Sequence, residues 1–202
     1  MPGPAATFYY DLFSPRAYLV AEQLPSALGA GVDWQPVLAR ELPGPDTLEA
    51  FRCAEEESIF RAELERRAAA LGLQPLVWPD PFPFDSELAM RVAIFAKSVG
   101  RVVSFSLAAF RQAFAAGRDL SRPDYVLIAA AACELHPQAV MRSAERRSIA
   151  RLLSQATERA SAAGVTDVPA LELDGRLLVG SEAIESALTR LARAPHPAAT
   201  RQ

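Results

Sequence analysis

The alternation of apolar and polar positions predicts strands near both ends of the chain and helices between them. Residues 7–12 are β-branched, aromatic or apolar with one charge near the end, which is typical of a short buried strand. From Ala17 to Leu28 the apolar residues recur at helical spacing, and a second strand is predicted over 32–38 after a glycine-containing turn. A strand, a helix and a strand in close succession form a βαβ unit, which favours parallel pairing and a right-handed crossover.

The middle of the chain is predicted to be helical and to be interrupted by one stiff loop. The turn Pro43-Gly44-Pro45 precedes a helical pattern from Asp46 to Gly72. Residues 73–84 contain four prolines and three aromatic side chains, a composition typical of a loop that lies over a core or a pocket. Further helices are predicted over 86–99, 101–116 and 123–134.

The C-terminal part is predicted to contain a long helix and then a β-hairpin. The helix covers 138–163 and is rich in alanine, arginine and glutamate. A strand over 169–173 leads into the strong hairpin turn Asp174-Gly175, and a returning strand covers 176–179. A final helix is predicted over 182–193 and a flexible tail over 195–202.

Without the helical middle segment, the order of elements is β-α-β-α-β-β-α. This order indicates an α/β fold of the thioredoxin type, with helices on both faces of the sheet. The predicted organisation is a thioredoxin-like domain formed by residues 1–43 and 136–194, and a large all-helical insertion over 44–135 in the same chain.

The composition is typical of a globular protein and argues against several classes of function. Half of the 202 residues are hydrophobic and 22% are charged. A net charge of -3 gives no electrostatic basis for binding nucleic acid or an anionic membrane surface. The N-terminus lacks the pattern of a signal peptide, and no apolar run approaches the ~20 residues of a membrane span. The expected compartment is therefore the cytoplasm.

The two cysteines indicate neither a metal site nor a disulfide framework. Cys53 and Cys133 lie far apart, and neither has a Cys or His at metal-ligand spacing. In a reducing cytoplasm both are expected to be free thiols, and Cys133 lies in an apolar run typical of a buried position. No metal cofactor is predicted.

Ser14 is placed where a strand turns directly into a helix. Ser14 offers a capping oxygen, and Pro15 has the fixed φ that suits the first helical position. The hydroxyl would lie at the positive end of the helix, where it can stabilise an anion such as a thiolate. The alternative is an ordinary helix cap without a ligand.

Three motifs, in the correct order along the chain, resemble those of one family. The motifs are Phe8-Tyr9-Tyr10-Asp11 through Ser14-Pro15-x-x-Tyr18, then Gly164-Val165-x-x-Val168-Pro169-Ala170 with Asp174-Gly175, and finally Gly180-Ser181-Glu182. In these motifs the chain resembles 2-hydroxychromene-2-carboxylate isomerases and kappa-class glutathione transferases, which belong to the DsbA-like branch of the thioredoxin superfamily.

The resemblance implies a glutathione site. Ser14 would donate a hydrogen bond to the glutathione sulfur, while Val168 would supply its backbone N–H and C=O to the cysteinyl part. It also favours a cis bond before Pro169, the alternative being a trans proline at the start of a strand. Gly180 and Ser181 at the helix N-terminus would hold the γ-glutamyl carboxylate, and Glu182 would face the ammonium. The alternative for this last turn is a helix start with a dipole-matched acid.

Two contacts of the family are missing from this chain. The chain contains no asparagine, and Arg40-Glu41-Leu42-Pro43-Gly44 stands where the family carries one after its second strand. The lysine often found on the first insertion helix is also absent. Arg52, Arg61 and Arg66 are the candidates for a replacement cation, although arginine is not equivalent to lysine.

The function expected from the resemblance is a glutathione-dependent isomerase or transferase that acts on small aromatic or conjugated substrates, in a homodimer. Candidates for the wall of the substrate pocket, each with core packing as its alternative, are Phe13, Tyr18, Trp78, Phe82 and Phe84. One alternative function is a non-catalytic binding module that has lost the glutathione contacts. A thiol-disulfide oxidoreductase ranks lowest, because Ser14-Pro15-Arg16-Ala17 contains no sulfur.

Overall fold

A mixed four-stranded sheet forms the centre of the protein. The structure is a computed structural model that describes residues 6–44 and 53–193. The strands are β1 (Ala6–Tyr10), β2 (Val32–Pro36), β3 (Ala170–Leu173) and β4 (Arg176–Val179), in the order β2-β1-β3-β4. The β1 and β2 strands are parallel, as the βαβ pattern predicts, and β3 pairs antiparallel with both β1 and β4. The first strand ends at Tyr10, two residues earlier than predicted, because a turn follows it.

Eight α-helices lie in the described residues. They are α1 (Pro15–Leu28), α2 (Ala54–Ala70), α3 (Glu87–Ser98), α4 (Val102–Phe114), α5 (Pro123–Ala131), α6 (Pro137–Ala144), α7 (Arg147–Ala162) and α8 (Ser181–Arg193). The early part of the helix predicted from Asp46 and the predicted tail over 195–202 lie outside the described residues. None of these helices is long and apolar enough to cross a membrane.

The prediction of one long helix over 138–163 is wrong. The segment forms α6 and α7, which are separated at Glu145 and Arg146. Arg146 has φ -71 and ψ 130, an extended conformation, and its N–H bonds to the carbonyl of Ser143. The break lets α6 pack on α3 and α5, while α7 packs on α3 and β2. No glycine or proline marks this point, so the helical composition continues through it.

One hydrophobic core joins the sheet to the helical insertion. Phe8 and Tyr10 on β1 are fully buried and stack with their ring centroids 5.3 Å apart. Trp34 on β2 meets both rings edge-on, at 5.1 and 5.6 Å. On the other side, the ring of Tyr10 lies 5.8 Å from that of Phe110 on α4, and its hydroxyl hydrogen-bonds to Ser106. The insertion helices therefore share the core of the sheet.

Lys97, the only lysine, ties α3 to the edge strand β2. Its Nζ donates to both carboxylate oxygens of Asp33, at 2.7 and 2.9 Å. It also donates to the carbonyl of Trp34 at 3.0 Å and to Oε1 of Gln35 at 2.9 Å. This ammonium thus connects a helix of the insertion with three consecutive residues of the sheet.

Candidate functional site

Ser14 caps α1 as the sequence predicts. Its Oγ accepts a hydrogen bond of 3.2 Å from the N–H of Ala17, and Pro15 occupies the first helical turn. The hydroxyl therefore lies at the positive end of α1, and its hydrogen remains able to donate, since a hydroxyl offers one donor beside its acceptor lone pairs. Ser14 is 2% exposed, so little of its surface meets solvent.

The peptide bond between Val168 and Pro169 is cis, the isomer that the resemblance favours. Val168 is 5% exposed, and its backbone N–H donates to Oδ1 of Asp167 at 2.7 Å. The carbonyl of Pro169 accepts from the N–H of Gly180 at 2.9 Å, which ties this loop to the start of α8. The N–H group that the resemblance assigns to glutathione is thus bound by a neighbouring carboxylate in this structure.

A charged cleft of about 400 Å³ opens at the N-terminus of α8. Its wall brings together the predicted residues Gly180, Ser181 and Glu182. Arg16, in the first turn of α1 and two residues after Ser14, lines the same cleft. The remaining wall residues are Glu63, Arg67, Val179 and Ala183.

Arg67 is a residue of this cleft that sequence reasoning missed. Its Nη2 donates to Oγ of Ser181 at 2.8 Å and to Oε1 of Glu185 at 2.6 Å, while Nη1 lies 3.4 Å from Glu63. The signal that could have found it is the register of α2, because Leu64 and Ala68 are fully buried on that helix. Arg67 lies next to them on the inward face.

Of the three arginines proposed from the sequence as replacement cations, the two that the structure describes, Arg61 and Arg66, do not line the charged cleft. The guanidinium of Arg61 lies over the ring of Trp78, with its carbon 4.8 Å from the centroid, in a different depression. Arg66 is exposed on α2, and Arg52 lies outside the described residues. Arg16 and Arg67 supply the cations of the cleft instead.

The charged cleft carries both signs of charge. The guanidinium of Arg16 lies 5.2 Å from the ring centroid of Phe60 and makes no ion pair with any residue in the described part of the chain. Glu63 and Glu182 lie on the same wall. A cleft that combines a guanidinium with no ion pair among the described residues, a helix N-terminus and carboxylates can hold a zwitterion such as an α-amino acid.

The five aromatic residues predicted to form a pocket wall divide into two groups, because Tyr18, Trp78 and Phe82 all pack against Phe114, whereas Phe13 and Phe84 line a cavity. Tyr18 is 2% exposed and packs against Phe110 and Phe114 on α4, as its core alternative predicts. Trp78 and Phe82 pack edge-to-face at 5.0 Å, and Nε1 of Trp78 donates to Glu65. Phe13 and Phe84 alone share a cavity, which we name the aromatic cavity; it measures about 220 Å³ and is also lined by Asp11, Arg40, Pro83, Asp85 and Ser86.

Asp11 is a buried carboxylate at the aromatic cavity. It is 1% exposed; Oδ1 accepts from the N–H of Phe13 at 3.3 Å and Oδ2 from the N–H of Ala39 at 3.0 Å. Burial raises the pKa of Asp11 to about 6, although hydrogen bonds from Ser86, Ala39 and Phe13 oppose the shift. The sequence signal for this carboxylate is an acid directly after a buried strand.

Arg40 begins the segment in which the resemblance would place an asparagine, and its guanidinium is bound by two carboxylates. Nη1 donates to Oδ1 of Asp85 at 3.0 Å, and Nη2 donates to Glu87. Glu87 also pairs with Arg91. Within the described residues there is no group of three or more His, Cys, Asp or Glu side chains that could hold a metal ion.

Comparisons with solved structures show the same fold. A 2-hydroxychromene-2-carboxylate isomerase is 18% identical, with 93% of this chain and 96% of that chain covered and a TM-score of 0.79. A probable DsbA oxidoreductase from Streptomyces coelicolor is 19% identical over 95% and 91% of the two chains, with a TM-score of 0.70. The cytosolic disulfide reductase DsbM from Pseudomonas aeruginosa is 16% identical over 93% and 98%, with a TM-score of 0.60.

The predicted fold class is therefore confirmed as a DsbA-like thioredoxin fold with a helical insertion. No curated protein matches the chain in sequence. Residues 6–192, nearly the whole chain, match the family of the DSBA-like thioredoxin domain, and the protein therefore belongs to that family.

Proposed function

We propose that the protein is a glutathione-dependent isomerase or transferase that acts on small aromatic or conjugated compounds. The observation that carries the proposal is the charged cleft, whose wall combines Arg16, from the first turn of the helix that Ser14 caps, with Ser181 at the start of α8. Glutathione presents the matching groups, namely a thiol and a zwitterionic γ-glutamyl end. The similarity to an isomerase and to a disulfide reductase whose structure was solved with GSH supports this reading at the level of the fold.

The γ-glutamyl end would bind at the N-terminus of α8. Its carboxylate would accept hydrogen bonds from the first N–H groups of α8 and a charge-assisted bond from Arg16, which has no competing ion pair in the described chain. Its ammonium would face Glu182 and Glu63. Arg67 orients the hydroxyl of Ser181 toward the same space.

The thiol end would lie at the start of α1. Ser14 would donate its hydroxyl hydrogen to the sulfur, and the positive end of the helix would favour the thiolate over the thiol. Because Ser14 replaces sulfur with oxygen, the protein cannot form a mixed disulfide at this position. The chemistry left to the site is that of the bound thiolate.

The thiolate would attack an electrophilic carbon of a conjugated substrate and form a carbon–sulfur bond. In an isomerisation, the adduct rotates about the bond that has become single, and the carbon–sulfur bond then breaks to release glutathione unchanged. If the substrate carries a leaving group, that group departs with its electron pair and the conjugate is the product. The protein contributes orientation and stabilisation of the thiolate.

Calorimetric titration with glutathione tests the proposal. The wild type is expected to bind glutathione at millimolar or lower concentration and to show thiolate absorbance near 240 nm. Ser14→Ala should keep most of the affinity and lose the thiolate absorbance at neutral pH, because it removes only the contact with sulfur. Absence of binding at millimolar glutathione would refute the proposal.

A second candidate function, a binding module without catalysis, is favoured by one observation. Asp167 occupies the N–H of Val168, which the resemblance assigns to glutathione. Asp167→Ala frees this N–H, so a module that has lost the cofactor through this contact should regain affinity for glutathione. If the wild type binds glutathione and Asp167→Ala changes its affinity little, the side chain of Asp167 is no obstacle and the enzymatic reading is favoured.

A further inference from the structure

The aromatic cavity is a second candidate site and shares no lining residue with the charged cleft. Phe13, Pro83 and Phe84 give it apolar walls, and Phe13 directly precedes Ser14 in the chain. Its volume of about 220 Å³ is smaller than the roughly 300–1,000 Å³ of cavities that bury drug-sized ligands. The cavity therefore fits a planar compound of one or two rings.

Arg40, the cation on this wall, is not available to a ligand. Its guanidinium donates to Asp85 through one nitrogen and to Glu87 through another. Burial opposes its charge, but the hydrogen bonds and charges of Glu87 and Asp85 raise its pKa. Burial likewise opposes ionisation of Glu87, but Arg40 and Arg91 lower its pKa. Both groups therefore stay charged and paired at neutral pH.

The remaining charge on the wall is negative. Asp85 is paired with Arg40, so the charge on this wall without an ion pair in the described residues is the carboxylate of Asp11. Burial of Asp11 makes its charge strongly felt inside the cavity, because little water lies around it to screen it. A ligand with a carboxylate would meet repulsion here and would find no unpaired cation among the described lining residues.

We propose that the aromatic cavity binds an uncharged planar compound of one or two rings and discriminates against its carboxylated analogues. This inference rests on the proposed function, in which the compound in this cavity would be the electrophile that the thiol at Ser14 attacks. It narrows the substrate class, because the solved isomerase with the same fold is named for a carboxylate substrate.

Coumarin and coumarin-3-carboxylate are suitable probes, since they share a two-ring frame and differ by one carboxylate. Protein NMR titration of the full chain, without glutathione, gives both affinities and the location of binding. Coumarin is expected to bind at least about tenfold more tightly, which corresponds to about 1.4 kcal/mol, and to shift the amide signals of Phe13, Phe84 and Ser86. Equal or tighter binding of the carboxylate, or no shift at these amides with either probe, would overturn the inference.

A charge variant tests the physical cause. The double change Asp85→Asn with Glu87→Gln releases Arg40; Asp85 is exposed and Glu87, which also pairs with Arg91, is partly exposed, so the amide spectrum of the variant is first compared with that of the wild type to establish that it is folded. The ratio of the affinity for coumarin to that for coumarin-3-carboxylate should fall at least about fivefold, mostly because coumarin-3-carboxylate binds more tightly to the variant. Glu134→Gln, which breaks the distant exposed pair with Arg101, should leave the preference unchanged. An unchanged preference in the double variant would show that charge is not its basis.

The two proposals fail in different ways. Glutathione calorimetry reports on the charged cleft, whereas the coumarin titration contains no glutathione and reports on the aromatic cavity. Glutathione binding without coumarin binding would remove this inference and leave the proposed function standing. Coumarin binding without glutathione binding would remove the thiol from the mechanism and with it the role of the compound as an electrophile.

Discussion

The guanidinium of Arg67 on α2 donates a hydrogen bond of 2.8 Å to the hydroxyl of Ser181, which begins α8. The two residues are 114 positions apart, one in the helical insertion and one next to the last strand. Ser181 is only 3% exposed, so this bond fixes the hydroxyl in a mostly buried setting. The insertion thus contributes a positioning residue to the cleft that the C-terminal motif forms.

Arg67→Met is expected to weaken glutathione binding about tenfold. The change removes a cation from the cleft and releases the Ser181 hydroxyl, and a charge-assisted hydrogen bond contributes roughly 1.5–3 kcal/mol. Arg66→Met, on the exposed face of the same helix, is the matched control and should bind like the wild type. Calorimetry measures both, and equal affinity of the two variants would contradict a role for Arg67.

Asp11 should make the protein more stable at pH 5 than at pH 7. Its folded-state pKa of about 6 lies above the value of 3.8 in the unfolded chain, because burial disfavours the charged form. Between these values the folded protein holds a proton that the unfolded chain has lost, so the free energy of unfolding rises as pH falls. The contribution between pH 7 and pH 5 is about 1 kcal/mol.

Urea unfolding at the two pH values measures this effect against Asp11→Asn, which cannot titrate. Between pH 7 and pH 5 the free energy of unfolding should rise by about 1 kcal/mol more in the wild type than in the variant. A difference of opposite sign would mean that the hydrogen bonds from Phe13 and Ala39 outweigh burial.

Lys97→Met is expected to lower the free energy of unfolding by about 2 kcal/mol, since it leaves the partly buried Asp33 without its cation. Arg101→Met is the comparison, because its pair with Glu134 is half exposed or more on both sides and should contribute less than about 1 kcal/mol. Urea unfolding gives both values. Similar losses in the two variants would show that the four bonds of Lys97 add little.

Gly117→Ala is expected to destabilise the protein more than Gly100→Ala. Both glycines have positive φ, 65° and 71°, a conformation that costs a residue with a Cβ roughly 1 kcal/mol. At Gly117 the added Cβ would also lie 2.7 Å from Cγ1 of Val77, whereas at Gly100 it would meet nothing within 4 Å. Because both variants share the cost of positive φ, the difference between their melting temperatures measures the steric cost at Gly117. Equal melting temperatures would contradict this steric cost.

The sequence predicted the parts of the fold that depend on local pattern. The parallel β1–β2 pair, the cap at Ser14 and the hairpin at Asp174-Gly175 all follow from residues close together in the chain. The break between α6 and α7 was missed because it depends on what each helix packs against, and no residue at Glu145 or Arg146 disfavours a helix strongly.

In the candidate site, too, the sequence predicted the residues of a local motif and missed a residue whose role depends on a distant contact. The motif at Gly180, Ser181 and Glu182 was found from the resemblance, and the structure places it on one wall. Arg67 was missed because its role depends on a contact across more than half of the chain. The aromatic residues were assigned to one pocket by type alone, yet burial separates Tyr18 from Phe13 and Phe84.

The contact of Tyr10 with Ser106 and Phe110 has a consequence for how ligands enter. β1 and α4 pack into one continuous hydrophobic core. The sheet and the helical insertion therefore cannot move apart without exposing that core to water. We therefore expect heating or urea to melt the protein in a single step, and entry to the clefts to need only side-chain rotation rather than opening of the whole molecule.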